Sequence, residues 1–349
     1  MKKLFVMTLL AFCLLSISLA AAVKTVKENV VKAVVVKENL YRLEGTRGGN
    51  VAFLVTAKGV LVVDSGTAFE EAEQIIKAIR KITPQPIRYV VLTHYHGDHT
   101  IGLPVFPETA LIIGQHLVAR NIKENNIPRM QKYVESDLPL NIKKLQEDVE
   151  KLKKTKNPEL AKAKEELKSA QQELAAMKTM KPRLPDQTFA RSMIITLGGD
   201  AIHLIYPEPA HTNCNILVLF PRQKALHMGD MFFNESLPYI DFKNGANTAN
   251  WIKQLTRIDG WDITTVIPGH GPLSDKEGLK KQIAYLTFLR QAVSDELQKG
   301  SGLEAMKTAF VLPTEFKNWG YQSVFPNNIE AVYREMITPV QENKTETMQ

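Results

Sequence analysis

Only two cysteines, Cys13 and Cys214, occur in the chain, so no disulfide framework holds it and no thiolate-rich metal cage can form. No stretch beyond the first two dozen residues is apolar enough to span a bilayer, which excludes a polytopic membrane protein. Compositional bias is also missing: 19 Gly and 18 Pro in 349 residues exclude the collagen-like and low-complexity classes. The excess of positive charge shrinks once it is located. Of a formal net charge of +7, Lys2 and Lys3 supply two, and residues 126–182 carry 13 Lys or Arg against 9 Asp or Glu, leaving about +1 elsewhere. A nucleic-acid enzyme concentrates its positive field along the substrate groove, so a small-molecule substrate is expected and nucleic acid is not. What is present is 44% hydrophobic residues, enough for the core of one large domain or two ordinary ones.

The first residues bear on location. Lys2 and Lys3, the apolar run from Leu4 to Leu19 and the small residues Ala20, Ala21 and Ala22 read as a secretory signal peptide over 1–22. A periplasmic or secreted protein follows, with a single domain over 23–349 and no stable membrane insertion after cleavage. The alternative is an uncleaved anchor, since the run is just long enough to span. Cys13 lies inside the apolar run instead of at its end, which argues against a lipoprotein.

Further on, Val51 to Val55 and Val60 to Asp64 flank the turn Ala57, Lys58, Gly59, a hairpin pattern. Thr67 is placed to cap a helix through about Lys81, with Phe69, Ala72, Ile75, Ile76 and Ile79 at helical spacing, and Ile87 to Thr93 reads as a buried strand. Strands are expected over Ser192 to Leu197, Ala201 to Tyr206, Asn215 to Phe220, Ala225 to Met228 and Thr264 to Ile267, with helices near 249–258 and 274–299. Ser274 with Glu277 forms a capping box for the last helix. Two sets of strands with helices between them imply an α/β sandwich.

One segment departs from this pattern. Over 126–182, Ile142, Leu145, Val149 and Leu152, then Leu160, Ala163, Leu167, Ala170, Leu174 and Met177, follow heptad spacing. Asn157 and Pro158 separate them, predicting an inserted antiparallel helical hairpin. It is a solvated spacer, a homo-oligomer arm or a lid near the site.

The chemistry is concentrated after the Ile87 strand, where Thr93, His94, Tyr95, His96, Gly97, Asp98 and His99 place four metal-ligand side chains within six residues. His94 and His96 share a side because strand side chains alternate, and Gly97 permits the sharp turn that brings Asp98 and His99 round. Three more candidates stand at strand ends beside Gly or Pro: His211, Asp230 and His270, where function is commonly carried. Imidazole and carboxylate suit zinc. The remaining histidines, His116, His203 and His227, and Cys214 read as structural.

These motifs, HxHxDH, then Pro-Ala-His-Thr, Met-Gly-Asp and Pro-Gly-His-Gly in that order, resemble those of the metallo-β-lactamase-fold hydrolase superfamily over about 41–335. The resemblance implies a four-layer αβ/βα sandwich with a dinuclear zinc site at the edge where its sheets meet. By motif position, His94, His96 and His211 hold one Zn²⁺, Asp98, His99 and His270 the other, and Asp230 bridges both. Asp64 matches a position that supports the metal loop, or it is an ordinary strand-end cap. Two zinc ions about 3.5 to 4 Å apart share a water and lower its pKa to about 7, so a bridging hydroxide attacks a carbonyl (lactone, thioester, β-lactam-like amide) or a phosphoryl centre, with Asp98 orienting it or carrying its proton. β-Lactamases of the superfamily carry Cys or Ser where Asp230 stands, which disfavours that activity as the main role.

Other classes remain on the same scaffold: a mononuclear Fe²⁺ persulfide dioxygenase, or a metal-binding module without catalysis. After Asp230 the run from Met231 to Asp241 alternates aromatic and polar residues with no regular period. Phe232, Phe233 and Tyr239 are therefore candidates for a substrate wall, with core packing the alternative for the phenylalanines. Tyr95, between two ligand candidates, joins that wall or faces the opposite side.

Overall fold

The Ala57–Lys58 turn folds its flanking runs into a hairpin, around which the first sheet grows. The computed structural model describes residues 30–338; the expected signal peptide at 1–22 lies outside them. Strands β1 (Lys32–Lys37), β2 (Leu40–Glu44), β3 (Ala52–Thr56) and β4 (Gly59–Val63) form an antiparallel meander. Helix α1 (Phe69–Ile82) returns the chain so that β5 (Ile87–Val91) pairs parallel to β4, as a crossover connection requires. Thr67 does not cap α1. The cap position is Ala68, and the buried Glu71 carboxylate instead accepts the Thr67 and Arg47 backbone N–H groups, an acidic group where the helix dipole favours one.

Past the short α2 (Gly97–Thr100), β6 (Leu111–Gln115) adds parallel to β5. The chain then runs through α3 (His116–Asn121), a π-helical turn at Ile122–Asn126, α4 (Ile127–Lys132), a second π-helical turn at Tyr133–Asp137, α5 (Leu138–Lys154) and α6 (Leu160–Thr179). Leu138 and Ile142 pack with Ala170, flanked by Leu145, Leu167, Leu174 and Met177. The helices are joined across Asn157, whose side chain accepts the Glu159 N–H. Strand β7 (Gln187–Phe189) completes a seven-stranded sheet in the order β1 to β7.

The second sheet contains β8 (Ser192–Leu197), β9 (Asp200–Ile205), β10 (Leu217–Phe220), β11 (Ala225–His227) and, after α7 (Thr248–Asp259), β12 (Thr265–Ile267), in the order β12-β11-β10-β9-β8. Helices α8 (Lys276–Gln298), α9 (Leu303–Ala309) and α10 (Phe325–Ile337) follow. The cap of α8 is Asp275, one residue later than expected, because the Ser274 backbone is used in a bridge to Val266.

Three apolar clusters define the layers. Leu54, Leu61 and Val63 of the first sheet meet Ile202, Leu204 and Val218 of the second. Ala72, Ile75 and Ile79 of α1 cover the outer side of the first sheet against Val60, Val62 and Val90. Trp251, Leu255, Leu279, Leu286 and Ile329 cover the second against Leu226 and Val266. The result is the expected four-layer α/β sandwich, helix, sheet, sheet, helix, with the loops after β4, β5, β11 and β12 converging at one edge.

Candidate metal centre

The strand β5 ends at Val91, two residues before the expected Thr93, and the chain bends through Thr93, His94 and Tyr95, so it is this bend that brings the His94 and His96 rings together with centroids 4.6 Å apart. The α2 turn folds His99 back until its ring lies 4.3 Å from that of His94. The loop after β9 delivers His211, whose Nε2 is 3.1 Å from His96 Nδ1. Two sets of ligand atoms result: His94, His96, His211 and Asp230 lie within 4.8 Å of one another, and so do Asp98, His99 and His270. Asp230 reaches both sets. Its Oδ2 is 3.6 Å from His94 Nε2 and 3.4 Å from His211 Nε2, while its Oδ1 is 3.1 Å from His99 Nε2 and 3.4 Å from His270 Nε2.

Hydrogen bonding fixes how these rings present themselves. His94 Nδ1 faces the Thr93 hydroxyl at 3.1 Å, His99 Nδ1 faces Asp64 at 2.7 Å, His211 Nδ1 faces the Tyr239 carbonyl at 2.7 Å, and His96 Nε2 faces Asp241 at 3.0 Å. In each ring the other nitrogen is left for the centre. There, His94 Nε2, His99 Nε2 and Asp230 Oδ1 are buried without a hydrogen-bond partner, a cost of about 1–3 kcal/mol each. Divalent cations with nitrogen and oxygen ligands remove that cost, so the residues fit such ions.

Without metal, the centre is a strongly coupled charge network. Burial opposes ionisation of Asp230, but His270, His99 and His94 outweigh it and hold the carboxyl well below the usual range. Burial likewise disfavours His270 imidazolium, yet Asp230 and Asp98 raise it to about 9. His211 goes the other way, lowered to about 4 mainly by burial.

Two glycines permit the close approach. Gly229 adopts φ +49°, where a side chain is strained, and a Cβ there would lie 2.5 Å from Thr93. A Cβ on Gly269 would lie 2.0 Å from Asp230 Oδ1. Gly269→Ala is therefore expected to fold with an unchanged far-ultraviolet circular dichroism spectrum while its metal content, measured by mass spectrometry, falls by about half or more.

The sequence profile of the "Metallo-beta-lactamase superfamily" matches residues 45–114 and 148–270. The chain belongs to that superfamily. It is 21% identical over 249 residues to a linear primary-alkylsulfatase of Pseudomonas sp., covering 68% of this chain and 44% of that protein. It is 22% identical over 271 residues to a metallo-beta-lactamase type 2 of Elizabethkingia meningoseptica, covering 75% and 87%. Among solved structures, the sec-alkylsulfatase Pisa1 from Pseudomonas sp. superposes with a TM-score of 0.64 at 17% identity, covering 90% of this chain and 52% of that one. A metallo-beta-lactamase from Pontibacter korlensis superposes at 0.53 with 19% identity, covering 74% and 99%. The chain thus spans about half the length of these alkylsulfatases and most of the length of these lactamases.

Around the ligand cluster, this superfamily member builds a second ring of contacts. Asp64, buried at φ +66°, accepts the Thr93 N–H and hydroxyl, both at 2.8 Å, besides facing His99; it does not cap α1. Tyr95 donates to Asp241 at 2.5 Å and accepts from Asn244 at 2.7 Å; it borders the cleft in front of the ligands, but its ring is buried in the apolar cluster outside the first sheet. Phe233 and Tyr239 also line that cleft, Phe233 stacking on His270 with centroids 5.1 Å apart. Phe232 does not, a correction to the sequence expectation. Its backbone is extended, so it points away from its neighbour Phe233 and is fully buried against α7 and α8.

Sequence reasoning missed Asp241, Asn244 and Tyr321. Asp241 closes the aromatic loop after Asp230, a carboxylate whose only signal was its place in that loop. Tyr321, at φ +59°, comes from the segment before α10 with its ring 5.9 Å from His270, and no local pattern marks it. Cys214 stays outside the cluster, fully buried, its thiol pushed up to about 11 by burial. In protein lacking residues 1–22, Ellman's reagent should find no reactive thiol at about pH 8 until denaturant is added.

Proposed function

We propose that this protein is a dinuclear zinc hydrolase of small molecules, cleaving an ester-type bond at a carbonyl or phosphoryl centre. His94, His96 and His211 would hold one ion, Asp98, His99 and His270 the other, with Asp230 across both. The observation that carries this reading is the convergence of three buried atoms lacking hydrogen bonds, His94 Nε2, His99 Nε2 and Asp230 Oδ1, with one Asp230 oxygen facing each ligand set. Zinc bound there supplies Lewis acidity and a water ionised near pH 7.

The remaining work falls to the chain. Asp98, with a third of its side chain exposed to the cleft, has its Oδ2 3.1 Å from His270 and 3.4 Å from His99, and its other oxygen is assigned the proton of the attacking water. Asp241, loaded by Tyr95 and Asn244, fixes the His96 tautomer. Phe233, Tyr239 and Tyr321 wall a cleft of about 1090 Å³, room for an ordinary small-molecule substrate. A single-iron dioxygenase would use one ligand set, Asp230 included, and leave Asp98, His99 and His270 without an ion, so the second set favours the hydrolase. The related alkylsulfatase and lactamase carry their names for ester-type or amide cleavage, which agrees with this reaction class. The apolar start of the chain supports export to the periplasm or beyond.

The test pairs metal analysis of protein purified without added metal with turnover of nitrocefin, a lactone, a thioester and bis-p-nitrophenyl phosphate, before and after chelation. Zinc near two per chain and chelator-sensitive hydrolysis of at least one substrate are expected. Zinc-replete protein inert on all four counts against the reading, as does iron in place of zinc. The α5–α6 pair packs its apolar seam on itself, and deleting 135–180 separates its three readings: a lowered solution mass by light scattering marks an oligomer arm, altered turnover a lid, and both unchanged a solvated spacer.

A further inference from the structure

The cleft in front of the ligand cluster has cations of two kinds. Arg47, Arg129, Lys243 and Arg334 all line it. Arg47 lies 3.6 Å from Glu70, and Arg334 lies 2.8 Å from Glu330. Among the described residues, Arg129 and Lys243 have no carboxylate within 4.0 Å. Their acidic neighbour in the cleft, Asp241, is already engaged by Tyr95, His96 and Asn244. Both side chains are exposed, and an Arg and a Lys lining one concave, partly aromatic cleft without a carboxylate partner offer an anion entering it two cations to pair with.

Their placement is built. The π-helical turn at Ile122–Asn126 re-aims the segment leading into α4 toward the site, a use such turns often have. Asn126 donates to the Tyr95 carbonyl, and Asn125 donates to Asn244 at 3.1 Å. The second bond pins the start of α4 against the turn Phe242–Asn244, which carries Lys243. Arg129 follows Asn125 by four residues, and so lies on the same helical face. The rest of the cleft wall is aromatic, with Phe233, Tyr239 and Tyr321. Tyr321 is held there because Gly320 bonds both the Glu235 carbonyl and the Leu237 N–H.

Resting on the hydrolase reading, we propose that the substrate carries an oxyanion, a carboxylate, sulfate or phosphate, beside an apolar portion, and that Arg129 and Lys243 recognise it. Arg129 belongs to residues 115–147, which the superfamily profile leaves unmatched, whereas Lys243 lies in the matched part. A guanidinium binds such a group in a two-pronged geometry that an ammonium cannot reproduce.

The experiment is binding without turnover. Zinc-loaded protein is titrated calorimetrically with benzenesulfonate and with benzyl alcohol, and metal content is measured for every variant. Wild type should bind benzenesulfonate more tightly, with an affinity that falls as salt rises. The Arg129→Ala, Lys243→Ala double variant should lose about tenfold or more of that affinity with metal content unchanged, and Arg129→Lys should recover only part. Equal binding of the two probes, salt-insensitive affinity, or an unaffected double variant overturns the proposal. Salt dependence is read on wild type, so misfolding of a variant leaves it decisive. Anion binding with no hydrolysis of any ester would instead remove the enzymatic reading and leave this one standing.

Discussion

Asp230→Ala is expected to lower kcat by about a thousandfold or more and to strip zinc from both halves of the site. Asp230 is the one carboxylate that faces four imidazoles, His94, His99, His211 and His270, at 3.1 to 3.6 Å. Without it those rings keep their places but share no counter-charge. A second readout needs no metal. In chelated wild-type protein, Asp230 and Asp98 raise His270 from its ordinary 6.5 to about 9 against the opposing effect of burial. A group whose folded pKa is raised contributes stability that is complete below the unfolded value and lost as pH rises through the folded one. The melting temperature of the chelated protein should therefore fall between about pH 6.5 and 9. In Asp230→Ala, over that same interval, the melting temperature should change much less. Retention of two zinc ions per chain by this variant would remove the bridging assignment.

The second large effect is expected at Asp64. Its carboxylate accepts both Thr93 groups and faces His99 Nδ1, all within 2.8 Å and all buried. Asp64→Ala leaves those donors unpaired and keeps the left-handed backbone at φ +66°, a combination expected to cost about 3 kcal/mol or more in urea denaturation. Asp64→Asn tolerates that backbone and still accepts the Thr93 N–H, but turns an amide donor toward the Thr93 hydroxyl and His99 Nδ1. It should therefore fold nearly as well while its zinc affinity drops by about 10- to 100-fold. Equal zinc affinity in wild type and Asp64→Asn would reduce Asp64 to a structural role.

How much was legible depended on whether the signal was local. The β-branched runs Val51–Val55 and Val60–Asp64 around the turn Ala57, Lys58, Gly59, and the helical spacing from Phe69 to Ile79, all report on neighbours a few residues apart, and each produced its element. Boundaries were weaker. Thr67 and Ser274 are good capping residues in isolation, yet the cap positions fall one residue later, on Ala68 and Asp275, with the Thr67 N–H given to Glu71 inside the helix and the Ser274 backbone bridged to Val266. Phe232 and Phe233 look alike in sequence and both are buried in the same core cluster, yet only Phe233 also borders the cleft, stacked on His270.

The sequence by itself determined the ligand chemistry. Histidines and aspartates clustered in HxHxDH, and repeated at three later strand ends, are residue types no apolar core accommodates without a cation or a dense hydrogen-bond network. It also determined the layered α/β plan, since apolar periodicity dictates which faces must be buried. Only the tertiary structure decided that Asp241 and Tyr95 brace His96, that Tyr321 closes the far wall, and that Arg129 faces the cleft without a carboxylate. Tyr321 and His270, Arg129 and Lys243, and His96 and Asp241 lie about 50 to 145 residues apart in the chain, and proximity of that kind is created by closing loops around a packed core. No pattern within a short window carries it.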